Sequence, residues 1–170
     1  DEFLEEVVLT TAASSVTFSS LDYYAAEGFK HLQIRMVARN TDTSSGSNFR
    51  FRFNADSGAN YSAHFLYGTG ASVPYNALSN RNQIDGMLMP DDNLTANAFA
   101  AVVMDILDFS STSKAKTIRK LGGFATSSNP HVYLTSGRWG SLDAITSMQV
   151  FSSGTGFTAG SRFSLYGSKG

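Results

Sequence analysis

The chain has 170 residues and a mass of 18.3 kDa, which suits one domain with its own core, since roughly 100–200 residues per domain is usual. A 42% hydrophobic fraction with thirteen Phe and seven Tyr, against 16% charged residues, excludes a disordered chain. A formal net charge of −1 supplies no global pull toward nucleic acid or anionic lipid, and the lack of cysteine removes disulfides, thiolate metal sites, iron–sulfur clusters and cysteine nucleophiles.

In chain order, the opening Asp1, Glu2, Glu5 and Glu6 carry none of the basic character of a targeting segment. No run approaches the roughly 18 apolar residues that a membrane-spanning helix needs. Neither membrane insertion nor a nucleic-acid partner is therefore expected. Beginning at Asp, the 1–170 unit reads as one domain, itself processed or part of a longer polypeptide.

Apolar residues then recur with period two, which puts successive side chains on opposite faces of a strand. The predicted strands are 6–11, 15–20, 30–39, 48–54, 61–67, 83–89, 98–109, 115–124, 132–139, 144–152 and 161–167. In 30–39, Leu32, Ile34, Met36 and Ala38 alternate with Gln33, Arg35, Val37 and Arg39; in 48–54, three Phe alternate with Arg50 and Arg52. Alanines at 96, 98, 100 and 101 favour a helix. The nearly continuous apolar run that follows, with its Val, Ile and Phe, instead matches a central strand covered on both faces.

Ser, Gly, Asn and Asp mark loops at 41–47, 56–60, 68–82, 110–113, 126–130 and 152–160. About eleven short strands with frequent turn signals predict an all-β fold, an antiparallel two-sheet sandwich. Its expected core contains Phe18, Leu32, Ile34, Met36, Phe49, Phe51, Phe53, Ile106, Ile145, Phe163 and Leu165.

Catalytic chemistry finds little purchase. His31, His64 and His131 stand without a nucleophile elbow, and the first two fall inside strand patterns. The loop from Asp56 to Asn60 offers oxygens that suit Ca²⁺, but it lacks the twelve-residue spacing and closing Glu of a helical calcium loop, and an Asx turn explains it better. Asp91, Asp92 and Asn93 read as a turn after Pro90. No cofactor and no metal are expected.

Binding surfaces are the stronger candidates. Arg35, Arg39, Arg50 and Arg52 would form a stripe across two neighbouring strands and serve as a protein interface, since Arg suits interface ion pairs. The basic run Lys114, Lys116, Arg119 and Lys120 reads as a solvated sheet face. Tyr23, Tyr24, Tyr67 and Tyr75, with Trp139, are candidate platforms for a glycan. Trp139, at a strand end, also suits packing or fixing a corner. Asn60 and Asn93 head glycosylation sequons, which matter only in a secreted eukaryotic protein.

Several stretches carry a more specific signal: Ser15-Val-Thr-Phe-Ser-Ser, His31-Leu-Gln-Ile-Arg-Met-Val-Ala-Arg, Phe51-Arg-Phe-Asn-Ala-Asp-Ser-Gly-Ala-Asn-Tyr-Ser, Ala144-Ile-Thr-Ser-Met-Gln-Val-Phe and Gly160-Ser-Arg-Phe-Ser-Leu-Tyr-Gly. With Val103-Met-Asp-Ile-Leu-Asp-Phe, Lys114-Ala-Lys-Thr-Ile-Arg and Ser136-Gly-Arg-Trp, they are spread from residue 15 to residue 167, so that the resemblance extends over nearly the whole chain. They resemble a module of tailed-bacteriophage virion structural proteins. The ending Leu165-Tyr-Gly-Ser-Lys-Gly170 departs from the usual pattern, which continues into an apolar residue and Lys.

The resemblance implies a jelly-roll-like domain of a tail fibre, baseplate or head decoration protein. It implies no enzyme, and so no catalytic residues. The expected partners are other virion proteins and further copies of the chain, with a trimer as the first expectation. Its place is the virion, assembled in host cytoplasm. The alternative is a carbohydrate-binding module that recognises host-surface glycans, and a hydrolase would require an acidic pair in a cleft.

Overall fold

A computed structural model describes residues 1–43, 46–126 and 130–170. Ser44 and Ser45 of the expected 41–47 loop, and Ser127, Ser128 and Asn129 of the expected 126–130 loop, lie outside the described residues. The elements are β1 (Glu2–Val8), β2 (Ser15–Phe18), α1 (Leu21–Ala26), β3 (His31–Ala38), β4 (Phe49–Phe53), β5 (Tyr61–Gly68), β6 (Tyr75–Arg81), β7 (Ala100–Ile106), β8 (Lys116–Phe124), β9 (His131–Trp139), β10 (Met148–Ser152) and β11 (Arg162–Ser168). Eight strands form one sheet, in the order β1-β11-β3-β7-β8-β9-β5-β6, and three form a second, β2-β10-β4. The fold is the expected all-β antiparallel sandwich.

The pairing explains the winding. β1 pairs with β11, β2 with β10 and β3 with β7, while β4 is bridged by the 84–88 segment through Phe51–Ile84 and Asn48–Leu88. These are the pairs along one long hairpin, taken from its ends inward. The further pairs β11 with β3 and β10 with β4 roll that ribbon into two facing layers, the jelly-roll arrangement. Two hairpins are insertions in it, β5–β6 after β4 and β8–β9 after β7. They meet where β5 pairs with β9 and widen the large sheet by four strands on one side.

Alternation sets what each strand buries. β3 turns Leu32, Ile34, Met36 and Ala38 inward, and β4 turns in Phe49, Phe51 and Phe53, all of them buried. All eleven expected core residues are buried, and each large side chain so placed contributes about 1.5–3 kcal/mol of hydrophobic stabilisation. Trp139, Tyr61 and Phe53 pack together at one corner, with ring centroids 5.7–6.4 Å apart.

Several expectations are corrected. The 83–89 stretch is not a regular strand, because Gly86 takes φ +98° and the main chain leaves the ladder there. Residues 84, 87 and 89 keep backbone hydrogen bonds to β4 and its flank, and side chains of the large sheet satisfy the two carbonyls at the turn: Lys120 Nζ donates to the Asp85 carbonyl at 3.3 Å and Thr135 Oγ1 donates to the Gly86 carbonyl at 3.0 Å. Strand β6 lies inside the expected 68–82 loop. Residues 21–26 form a short helix, with Ser20 in the left-handed region at φ +56° just before it. The first strand ends at Val8, earlier than expected, and the expected 144–152 strand is confined to Met148–Ser152.

The basic run is corrected too, for half its members. Inward alternation on β8 buries Lys116 and Lys120 fully, while Lys114 pairs with Asp108 at 2.6 Å and Arg119 with Asp105 at 2.7 Å. Lys116 Nζ donates to the carbonyls of Lys114, Leu142 and Asp143 and so ties the 142–143 loop to β8.

Candidate functional site

The small sheet and the loops packed beside it cover the inner face of the large sheet. On the outer face, register lines up a row across six adjacent strands: Arg35 on β3, Val103 on β7, Leu121 on β8, Leu134 on β9, Leu66 on β5 and Tyr75 on β6. Tyr75 is 87% exposed and Leu121 is 55% exposed. One step along the strands lies a second row, Val37, Ala101, Gly123, Val132 and Gly68. Opposite it runs a polar row, Gln33, Asp105, Arg119, Ser136, His64 and Ala77.

Along the two rows Val37, Leu66, Val103, Leu121, Val132 and Leu134 are each 38–56% exposed beside Tyr75, a contiguous apolar patch of the kind that marks an interaction surface. Two shallow grooves run along the face. One is lined by Leu66, Leu134, Tyr75 and His64, and the other by Val37, Val103, Leu121, Arg35 and Tyr166.

The polar row is largely satisfied within the protomer. Asp105 accepts hydrogen bonds from Gln33 Nε2 at 2.8 Å and Arg119 Nη2 at 2.7 Å. Burial works to raise the Asp105 carboxyl, but these two donors outweigh it and hold the pKa below the ordinary range. His64 stands opposite Ser136, yet no hydrogen bond joins them and the next group along is Arg119, which is committed to Asp105. An acyl-transfer site needs a carboxylate to orient the imidazole, and this row places a guanidinium there instead.

The four arginines are not brought together. Jelly-roll winding sends consecutive strands to opposite layers, so β3 and β4 lie in different sheets and the expected stripe does not form. Arg35 lies on the outer face, its guanidinium 4.0 Å from the centre of the Tyr166 ring and 3.5 Å from Asp1. Arg39 is buried and donates to the carbonyls of Leu94, Thr95 and Ala98 and to Asp92, clamping the 92–98 connection. Arg50 pairs with Asp85 at 2.9 Å, and Arg52 lies over the Phe151 ring and donates to the Asn82 carbonyl.

Nor do the tyrosines form one platform. Tyr67 is stacked on Tyr133 at 5.1 Å within a run of rings that continues through His131 to Phe124. Tyr24 packs edge-on to Phe29. Tyr23 and Tyr75 present exposed rings, but Tyr23 is on α1 whereas Tyr75 is on β6, the edge strand farthest from β1.

Asp56 lies in an Asx turn: Oδ1 accepts from the Gly58 amide, and Oδ2 from Asn60 and from Trp139 Nε1 at 2.7 Å. The Trp139 hydrogen bond chiefly holds its carboxyl below the usual range. Trp139 is buried and fixes this corner. No group of three or more His, Asp or Glu able to hold a metal occurs among the described residues. Likewise, among the described residues no helix is long and apolar enough to cross a membrane.

Sequence reasoning missed the outer face, although its signal was present. Val103 and Ala101 made 98–109 read as a strand covered on both sides, and the structure supplies a cover on one side only. No family model matches the chain, and no curated protein matches it in sequence.

Proposed function

We propose that this chain is a non-enzymatic structural module of a tailed-bacteriophage virion, in a tail fibre, baseplate or capsid decoration protein. It docks onto other protein chains through the outer face of its large sheet. The observation that carries the docking is the apolar row Val103, Leu121, Leu134, Leu66 and Tyr75, exposed across five neighbouring strands. The virion setting rests on the sequence resemblance.

Rigid strands are a suitable base for such a surface, because the backbone of an antiparallel ladder holds its side chains at fixed spacing and little order is lost on contact. Mass spectrometry of purified particles of the phage that encodes the chain should detect it. Particles grown with Leu134→Lys should lose it or fail to assemble. Absence of the chain from the particles would refute the virion reading.

A host-glycan reading is favoured at one place only, where the Tyr75 ring stands exposed beside Asn76 and His64. Calorimetric titration with host glycans separates the two: binding that Tyr75→Ala abolishes supports the glycan, and silence supports docking to protein.

A further inference from the structure

We propose that the outer face of the large sheet docks a second copy of this chain, face to face, about a two-fold axis running along the strands between β8 and β9. This deepens the docking reading above and rests on it. Three observations favour a second copy as the occupant.

The first is extent. Seven large apolar side chains, Val37, Leu66, Tyr75, Val103, Leu121, Val132 and Leu134, stand exposed on six adjacent strands, a face roughly 24 Å wide and so of the breadth of a standard interface of about 800 Å² per partner. Elsewhere the described residues expose large apolar side chains singly or in small groups: Phe3 and Val8 on β1, Tyr23, Val73, Leu107 and Leu142. A ring of heterologous contacts needs a second, different patch to receive the first. Among the described residues none of comparable extent exists.

The second is self-complementarity. An axis lying in the interface along the strands, between Leu121 and Leu134, reverses the strand order of the partner. Leu121 then faces the second copy's Leu134, and Val103 faces its Leu66. Arg35 faces its Tyr75. The protruding Tyr75 ring enters the groove lined by Arg35, Val103 and Tyr166, where a guanidinium already lies against an aromatic face. In the polar row the same operation sets Asp105 opposite His64 and Arg119 opposite Ser136, opposing no like charges. In the remaining row Val132 meets Gly123, which has no side chain to obstruct it. Sheets packed face to face cross at about −30°, an angle that a two-fold along the strands accommodates.

The third is the sequence of β7. Its near-continuous apolar run is that of a strand covered on both faces, yet this protomer covers one. A second copy's large sheet covers the other.

The absence of cysteine from the chain makes the register directly testable. Val103 and Leu66 of one protomer lie three strand spacings apart, roughly 14 Å, too far for a disulfide within the chain, which needs Cα atoms within about 7 Å. The wild-type chain should sediment at twice 18.3 kDa at protein concentrations of about 10 µM. Because facing sheets lie about 10 Å apart, the doubly substituted Val103→Cys, Leu66→Cys chain should be joined into a covalent dimer by a short bis-maleimide whose reach of about 8 Å spans the facing sulfurs but not the pair within one chain, while each single substitution stays uncrosslinked. Leu121→Lys should convert the chain to monomer with its circular dichroism and melting temperature kept. Should that variant not fold, the cysteine pair decides alone.

A monomer at about 100 µM, a trimer, or a dimer that neither crosslinks at Val103–Leu66 nor responds to Leu121→Lys overturns the proposal. A monomer whose outer-face variants still drop out of particles overturns the two-fold dimer while leaving the docking reading intact. Loss of the chain from wild-type particles overturns the virion reading instead.

Discussion

Lys120 offers the sharpest test of the packing. Its ammonium is buried between the sheets, 5.2 Å from the centre of the Phe51 ring, with a hydrogen bond to the Asp85 carbonyl at 3.3 Å. An ammonium has three protons to satisfy, and the desolvation left uncompensated pushes its pKa down to about 7 from 10.5, opposed by the nearby Asp85 carboxylate. The unfolded chain keeps the proton up to about pH 10.5. From pH 7 upward, therefore, the unfolded state binds more protons than the folded state, and stability climbs with pH by up to about 1.4 kcal/mol per unit.

Between pH 7 and pH 9 that amounts to about 2 kcal/mol from this one residue. Below pH 7 both states are charged, so the slope vanishes and the full penalty of the buried charge is felt. Lys120→Met keeps the length of the side chain and removes the charge. At pH 7 it should stabilise the fold by about 1–3 kcal/mol, the relief of desolvation exceeding the ~1 kcal/mol of the lost hydrogen bond. Urea unfolding of both chains at half-unit steps from pH 6 to pH 9.5 measures the difference. Lys116 and the tyrosines are common to both chains and cancel to first order. Parallel profiles, or a loss above about 2 kcal/mol at pH 7 in the variant, would show that the ammonium is needed as a charge and that the site is solvated.

Phe51→Ala should cost about 3–5 kcal/mol in a denaturant titration, and a loss under about 1 kcal/mol would mean that the β4 ring does not fill the core. Gly86→Ala should lower stability by at least about 1–3 kcal/mol, because φ is +98° there and the new Cβ would lie 2.6 Å from Phe65 Cδ1; an unchanged melting temperature contradicts the turn. Asp56→Asn should flatten the acid limb of stability. The carboxyl of Asp56 titrates below its ordinary 3.8 in the folded chain, so it adds stability above that value that is lost as pH falls through the folded pKa. Acid unfolding followed by tryptophan fluorescence reads this at Trp139 itself.

Period-two alternation made most of the strands legible, because Leu32, Ile34, Met36 and the three Phe of β4 each face one layer with polar residues behind them. It failed where burial does not follow that period. Strand β6 buries almost nothing, and its Tyr-Asn-Ala-Leu-Ser-Asn-Arg is composed like a turn because one edge of the strand and most of its side chains face solvent. The 83–89 stretch erred the other way: it is buried nearly throughout but turns at Gly86, so its apolar residues reflect position inside the sandwich rather than a ladder. Arg39 read as a surface charge because no local pattern announces three carbonyls from residues more than fifty positions away. For the same reason, Lys116 and Lys120 were legible as inward positions by spacing and contradicted by their chemistry.

The two inserted hairpins tie the fold to the surface. A jelly roll closes with β1, β11, β3 and β7 facing β2, β10, β4 and the 84–88 bridge, and its ribbon is complete without β5, β6, β8 and β9. With them the large sheet spans roughly 34 Å across its strands, several times the width of the three-stranded layer. The extension then needs a cover on its inner side, which the irregular 83–90 chain supplies, held by its backbone bridges to β4 and by Lys120 and Thr135 reaching across to its carbonyls. That arrangement carries a buried charge, a cost the core did not require. What the added strands contribute outward is Leu121, Val132, Leu134, Leu66 and Tyr75, most of the apolar face. The added strands bury Tyr61, Ile118, Tyr133 and Trp139 in the core, but they also place a lysine in the interior and oily residues in water, two terms that each lower the stability of an isolated protomer. Covering the outer face recovers the second term, at about 25 cal/mol per Å² of apolar surface removed from water. A partner sheet on that face would account for the outward apolar residues of the insertions, which burial inside one protomer does not.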